Sequence, residues 1–409
     1  MPIINSKRLR DYPRLMLITM WVILALNVIF RNGWLGAVRQ IIGSDFITLY
    51  GAGIAYRTDL ANLYNFTSQA AIQQALIEPT PFAGVNPYIS PPYVAAFYSL
   101  FTFLPLSWAF ILWNVVTLLL TFIAVHYLVK LLPESLKSNL GYWQLLIIVL
   151  SFFPFIEGFQ AGQNHAITLL LITCVLFFTL SERWLLAGSM AGLMIYKPQM
   201  VLGLLIIWIV WRKYKALAAF AFIAILWVGF IFISKGSTPY LSYLNVSRDF
   251  IFLPYIQGFP GYLLLTLYGL LATLFPIESM SAIHSISLSF SVILAIGIAC
   301  LAYKSRYIPL LARTPIIVLA CLFPLVASPY ALLHDFVIVI PGFILWARYE
   351  SSRYLLLTAI VIYLGSFLLP LLASLTHIAL MSGLTLGLVA AIFVWIYSQY
   401  KNILWRAST

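Results

Sequence analysis

The sequence predicts an all-α protein that crosses a membrane many times. Three observations predict it. Of the 409 residues, 63% are hydrophobic and only 8% charged, and the mean hydropathy is +1.00. Apolar runs of roughly 17–25 residues, the length that spans a hydrocarbon core as a helix, recur from end to end. Basic residues collect in short junctions between these runs, which is the bias that orients spans. A water-soluble globular protein is excluded, and the chemistry of such a chain is confined to loops and helix ends at the membrane surface.

The spans follow in order. Residues 15–31 form the first, and it is no cleavable signal, since no small-residue cleavage pattern follows and further spans do. A long outer loop, about 32–105, comes next. It carries one helix-like piece, Ser68 to Glu78, and a stretch from Pro92 to Leu104 that is too short to cross and is closed by Pro105. Spans are then expected at 106–130, 142–158, 165–181, 184–196, 198–211 and 216–233. A second outer loop, about 234–281, contains the short apolar stretch Gly261 to Phe275. Spans at 282–303, 315–327, 332–347, 354–372 and 379–398 complete about twelve crossings. Counting either short stretch as a crossing would break the Lys/Arg asymmetry, so both read as interfacial or re-entrant helices on the outer side. No internal repeat, low-complexity segment or linker divides the chain, so residues 1–409 read as one membrane domain.

Charge tests this arrangement. With both termini cytoplasmic, the cytoplasmic segments hold 17 of the 23 basic residues (Lys7, Arg8, Arg10, Arg14, Lys130, Lys137, Arg183, Arg212, Lys213, Lys215, Lys304, Arg306, Arg313, Arg348, Arg353, Lys401 and Arg406). They hold four acids, Asp11, Glu134, Glu182 and Glu350, which leaves 6 basic and 7 acidic residues outside. This is a positive-inside pattern, and it accounts for the +12 net charge without a nucleic-acid partner. Cys174, Cys300 and Cys321 lie in apolar runs, where a thiol acts as a small hydrophobe.

The unusual polar residues fall on the outer side. The first outer loop supplies Asp45, Asp59 and the stretch Asn86-Pro87-Tyr88-Ile89-Ser90-Pro91-Pro92. The turn between the third and fourth spans supplies Glu157-Gly158-Phe159-Gln160-Ala161-Gly162-Gln163-Asn164-His165. Tyr196-Lys197-Pro198-Gln199 forms the tip between the fifth and sixth spans, and Ser328-Pro329-Tyr330 with His334-Asp335 follows the ninth. An acid beside a bilayer is a candidate catalytic base or ion site, and ionisable groups at membrane depth usually mark a pathway or a site. Bland readings stand beside these: a cap or solvated acid for Asp45, a snorkelling lysine for Lys197, hydrogen-bonded interfacial histidines, and helix-end packing for the glycine-amide cluster. Asp335 next to His334 hints at a pair, but adjacent residues on a helix do not face one another. No zinc motif, phosphate-binding loop or nucleophile elbow is present.

These residue types suit group transfer from a lipid phosphate. A carboxylate can take the proton of an attacking hydroxyl. A departing phosphate needs positive charge and donors, which lysine, histidine and an arginine such as Arg248 supply. A long isoprenoid tail would also explain a wholly membrane-embedded enzyme.

The ordered set resembles a known family. Asp45-Phe46 after the first span looks like the outer-loop acidic motif of GT-C glycosyltransferases, and Tyr50, Leu63-Tyr64, Pro91-Pro92 and Leu104-Pro105 continue the pattern. Gly162-Gln163-Asn164, Lys197-Pro198 and Ser328-Pro329 with His334 are similar to motifs of bacterial polyprenyl-phosphate-mannose-dependent alpha-mannosyltransferases. The match runs in order from about residue 43 to 340. Two positions depart from it: Ser90 precedes Pro91-Pro92, with Tyr88 two residues earlier, and His165 follows Asn164 where an apolar residue is expected.

The resemblance implies a GT-C fold and inverting transfer of a sugar, mannose foremost, from a polyprenyl-phosphate donor to a hydroxyl of an envelope glycolipid or polysaccharide. The reaction would occur at the outer face of the inner membrane. Asp45 would be the base. Lys197 and His334 would lie near the donor phosphate, with Gln163, Asn164, His165, Tyr88 and Arg248 as further substrate-binding candidates. No metal or other cofactor is implied. A secondary transporter or lipid flippase would instead carry polar groups near the midplane of broken helices, often in two repeated halves. A non-enzymatic assembly factor would not need the Asp45, Lys197 and His334 set.

Overall fold

The computed structural model describes residues 6–81, 84–137, 140–348 and 353–408. Glu350 lies outside them, and so do the side chains of Lys7, Arg8, Arg353, Lys401 and Arg406. The described chain contains α-helices and 3-10 turns with no strand. In order the helices are α1 (Ser6–Ile29), α2 (Ser44–Thr58), α3 (Phe66–Ile77), α4 (Pro92–Ser99), α5 (Leu106–Leu131), α6 (Glu134–Lys137), α7 (Tyr142–Ser151), α8 (Phe153–Ala161), α9 (His165–Leu180) and α10 (Trp184–Leu193). There follow α11 (Leu202–Val210), α12 (Tyr214–Lys235), α13 (Thr238–Ser247), α14 (Leu267–Leu274), α15 (Met280–Lys304), α16 (Thr314–Ala327), α17 (Val339–Trp346), α18 (Arg353–Thr376) and α19 (Met381–Ser408).

This is an all-α polytopic membrane protein. Among the described residues seven helices are long and apolar enough to cross a membrane, and α7 with α8 makes an eighth if the bent pair is one span. Four shorter apolar helical stretches, at 165–180, 184–196, 198–210 and 333–346, coincide with the remaining expected spans. The α7–α8 pair turns through 64°. Phe152, extended at φ −73° and ψ 120°, separates the two arms, and Pro154 opens the second. A proline in the first turn removes only an N–H that had no partner there, so the chain restarts a helix in a new direction.

The segment expected as the first outer loop is a folded subdomain rather than an irregular excursion. Asp45 does not sit in a loop: it lies in the first turn of α2, whose apolar residues pack against α4. Gly53 makes that approach possible, since a Cβ there would stand 2.8 Å from the Tyr98 and Ser99 backbone. Phe46, Tyr98, Phe101 and Trp113 pack together, mostly edge-on or tilted, with ring centroids 5.1–6.3 Å apart, and seal the layer between α2, α4 and α5. The expected helix at 68–78 is α3, started by Asn65, whose side chain accepts from Ser68 N at 2.9 Å. The stretch 92–104 forms α4 and one 3-10 turn, and 261–275 forms a 3-10 turn and α14. Helices α13 and the 3-10 segment 248–255 add structure to the second loop where sequence reading placed none.

The larger core lies between α9, α11, α16 and α17, around fully buried Leu169, Leu204, Leu319 and Val337. Gly203 on α11 meets α16 so closely that a Cβ would lie 2.0 Å from Ala320 O. Close glycine contacts of this kind pack membrane helices where no hydrophobic force drives them together.

Candidate functional site

Asp45 is fixed from two directions. Asn86 Nδ2 donates to its Oδ1 at 2.8 Å, and Gln163 Nε2 donates to its Oδ2 at 2.9 Å. Asn86 is itself clamped: its N–H donates to Gln73 Oε1, its carbonyl accepts from Gln73 Nε2 and Thr48 Oγ1, and these contacts span 2.8–3.1 Å. Two hydrogen bonds aim the carboxylate, yet its two oxygens offer about four lone-pair directions. A half-buried carboxylate so held can still accept a further proton.

The partner turn, Gly158 to His165, is built around glycine. Gly162 ends α8 in the left-handed conformation (φ 73°), with its Cα hard against Phe46: a Cβ would fall 2.6 Å from Phe46 Cβ. Gly43, also left-handed, starts α2 and donates to Gln160 O at 2.9 Å. The two chain reversals therefore touch, and this brings Gln163 to Asp45. Gln163 Oε1 accepts from Asn164 N at 2.9 Å, which fixes the amide so that its NH2 faces the acid. His165 is fully buried; its Nδ1 lies 3.2 Å from Gln163 O, where only an N–H can satisfy the carbonyl. Its ring packs on Gly158 and edge-on to Phe155 at 4.7 Å.

A second cluster forms around Lys197. Its ammonium donates to Asp335 Oδ1 at 2.7 Å and lies 3.3 Å from His334 Nε2. Asp335 and His334 side chains are 2% and 3% exposed, and Lys197 14%, so the pair is shielded from solvent. An ammonium can only donate, so His334 Nε2 accepts and the ring proton lies on Nδ1, facing Glu157 Oε2 at 3.6 Å. Asp335 Oδ2 accepts from Leu332 N at 3.2 Å. Adjacent residues do not face each other on an α-helix, but here 333–338 is a 3-10 segment and Lys197 reaches both. Lysine has three N–H donors; two are used here.

Helix α4 joins the clusters. It packs on α2, and Tyr93 OH donates to Ile195 O at 2.8 Å, two residues before Lys197. Tyr98 lies buried beside the acid with no hydrogen-bond partner for its hydroxyl among the described residues. Burial above all, then Tyr196, Tyr88 and the Asp45 carboxylate, raises this phenol well above its ordinary value.

Of the residues singled out by sequence, Asp45 and Gln163 meet directly, and Lys197 meets His334. Asn164 and His165 lie in the same turn as Gln163. Tyr88 is 1% exposed, its hydroxyl donating to Pro91 O and its N–H to Gln69 Oε1, so it braces the first loop. Arg248 opens the 3-10 segment 248–255, exposed, and its guanidinium makes no hydrogen bond or ion pair among the described residues. Sequence reading passed over Asn86, Asp335 and Glu157 as site residues. Their signal was there in part: all three stand in the polar turns already marked. Among the described residues no group of three or more His, Cys, Asp or Glu side chains is placed to hold a metal ion.

The model of a family described as glycosyltransferase family 87 matches residues 88–329, more than half of the chain. The matched segment contains Gln163, Asn164, His165, Lys197 and Arg248, while Asp45 and His334 lie outside it. No curated protein and no solved structure matches.

Proposed function

From the premise that this chain belongs to glycosyltransferase family 87 and is a membrane glycosyltransferase, we propose that it transfers a sugar, mannose foremost, from a polyprenyl-phosphate donor to an acceptor hydroxyl. Asp45 serves as the general base. The acceptor would be an envelope glycolipid or polysaccharide at the outer face of the inner membrane, consistent with the positive-inside charge pattern.

The observation that carries this reading is the doubly anchored, half-buried Asp45 carboxylate. The acceptor oxygen attacks the anomeric carbon from the face opposite the phosphate. Its proton passes to Asp45 as the bond between that carbon and the phosphate oxygen breaks. The bonding electron pair leaves with polyprenyl phosphate, so the configuration inverts. Lys197 keeps one N–H for a phosphate oxygen, and exposed Arg248 adds a cation on the second loop. Negative charge developing on the leaving group is what such donors stabilise. No step requires a metal or other cofactor.

The test is transfer of radiolabelled sugar in membranes supplied with polyprenyl-phosphate-mannose, for the wild type and Asp45→Asn. Loss of transfer in a folded, inserted variant supports the reading. Near-wild-type turnover removes Asp45 as the base.

A further inference from the structure

The stretch 157–165 holds a concentration of unpaired acceptors. Twelve buried side-chain N or O atoms lack a partner among the described residues, and three of them, Glu157 Oε2, Asn164 Oδ1 and His165 Nε2, fall within these nine positions. Buried polar atoms are nearly always paired in native proteins. An unpaired group costs its full desolvation, so three in one turn call for a ligand.

Their chemistry selects that ligand. A glutamate oxygen and an amide carbonyl oxygen accept. His165 Nε2 accepts as well, because Nδ1 carries the proton toward Gln163 O. Phosphate oxygens bring no hydrogen-bond donors to such a turn, and the Glu157 charge repels them. A sugar brings several hydroxyls, each able to donate to a carboxylate and accept from an N–H. His334 Nδ1 supplies that N–H: it faces Glu157 Oε2 at 3.6 Å, beyond hydrogen-bonding distance, so each can bind a third group. The Glu157 charge is also felt by Tyr262, whose phenol is raised chiefly by burial and then by this carboxylate. Tyr262 therefore stands near Glu157.

We infer that this turn recognises the hydroxyls of the transferred sugar, with Glu157 as the acceptor that selects them, and that it is no part of the phosphate site. The inference rests on the reading of the donor as a lipid-phosphate sugar. It gives Gln163 a double position, at the centre of the sugar-binding turn and bonded to the base.

Binding to the full chain in detergent tests it, with a polyprenyl phosphate and its mannosyl and glucosyl phosphodiesters as probes. The wild type should bind one sugar-bearing probe more tightly than the bare phosphate. Glu157→Ala should weaken that probe about tenfold or more, the worth of a charged hydrogen bond, and leave the bare phosphate within about twofold. Glu157→Gln, which keeps one acceptor and the side-chain shape, should lose less. Unchanged sugar binding in Glu157→Ala, or equal loss for the bare phosphate, overturns the inference while leaving the donor class intact. A wild type that binds none of the probes overturns both. Retained binding of the bare phosphate shows that each variant is folded.

Discussion

Gln163 Nε2 donates to Asp45 Oδ2 at 2.9 Å across 118 residues of sequence. The contact joins the start of α2 to the turn that opens α9, and it exists because two left-handed glycines, Gly43 and Gly162, let both chain reversals meet. It fixes the direction of the carboxylate while leaving lone pairs open.

Removing that donor should weaken catalysis more than binding. Gln163→Leu is expected to lower kcat by about ten- to a hundredfold, the range for a hydrogen bond to a charged group. Steady-state transfer rates check it, and a change confined to KM would place Gln163 elsewhere in the reaction.

Gln163→Glu sets a second carboxylate against Asp45. Two acids at that distance resist ionising together, and a base must be ionised to act. The acidic limb of the kcat/KM profile should therefore move to higher pH. A pH–rate profile in membranes checks the sign, and an unmoved limb would separate Asp45 from proton transfer.

Breaking the Lys197–Asp335 pair should be costly, because either partner is left buried and charged. Asp335→Ala is expected to destabilise by about 3–5 kcal/mol, seen as a lower Tm in detergent. Lys197→Ala should share much of that loss and also raise KM for the donor. A double variant losing less than the two singles combined would confirm that they act as one unit.

Gly162→Ala should destabilise by about 1–3 kcal/mol, from the left-handed backbone and the clash with Phe46 together. Thermal unfolding measures this. The same substitution at Gly383, where a Cβ meets nothing within 4 Å, should leave Tm near the wild-type value.

Apolar length placed helices at all twelve expected segments, since burial in lipid demands long uninterrupted runs. It missed α2 because its sequence, with Gly51 and Gly53 and a polar start, lacks both the length and the uniform hydropathy of a span. Those glycines serve contact with α3 and α4, a tertiary reason that local pattern does not carry. The polar turns were legible as turns, but their pairings were not. Asn86 needed Gln73 to position it, and Asp335 was discounted on α-helical geometry that the 3-10 segment does not follow.

The mooring of both clusters on α4 has a mechanical consequence. Helix α2 packs on this eight-residue strut, and Tyr93 ties the lysine turn to it at 2.8 Å. A displacement of α4 would therefore be passed to both the Asp45 helix and the Lys197 turn. In the proposed reaction, α4 would thus couple the position of the base to that of the group that meets the donor phosphate.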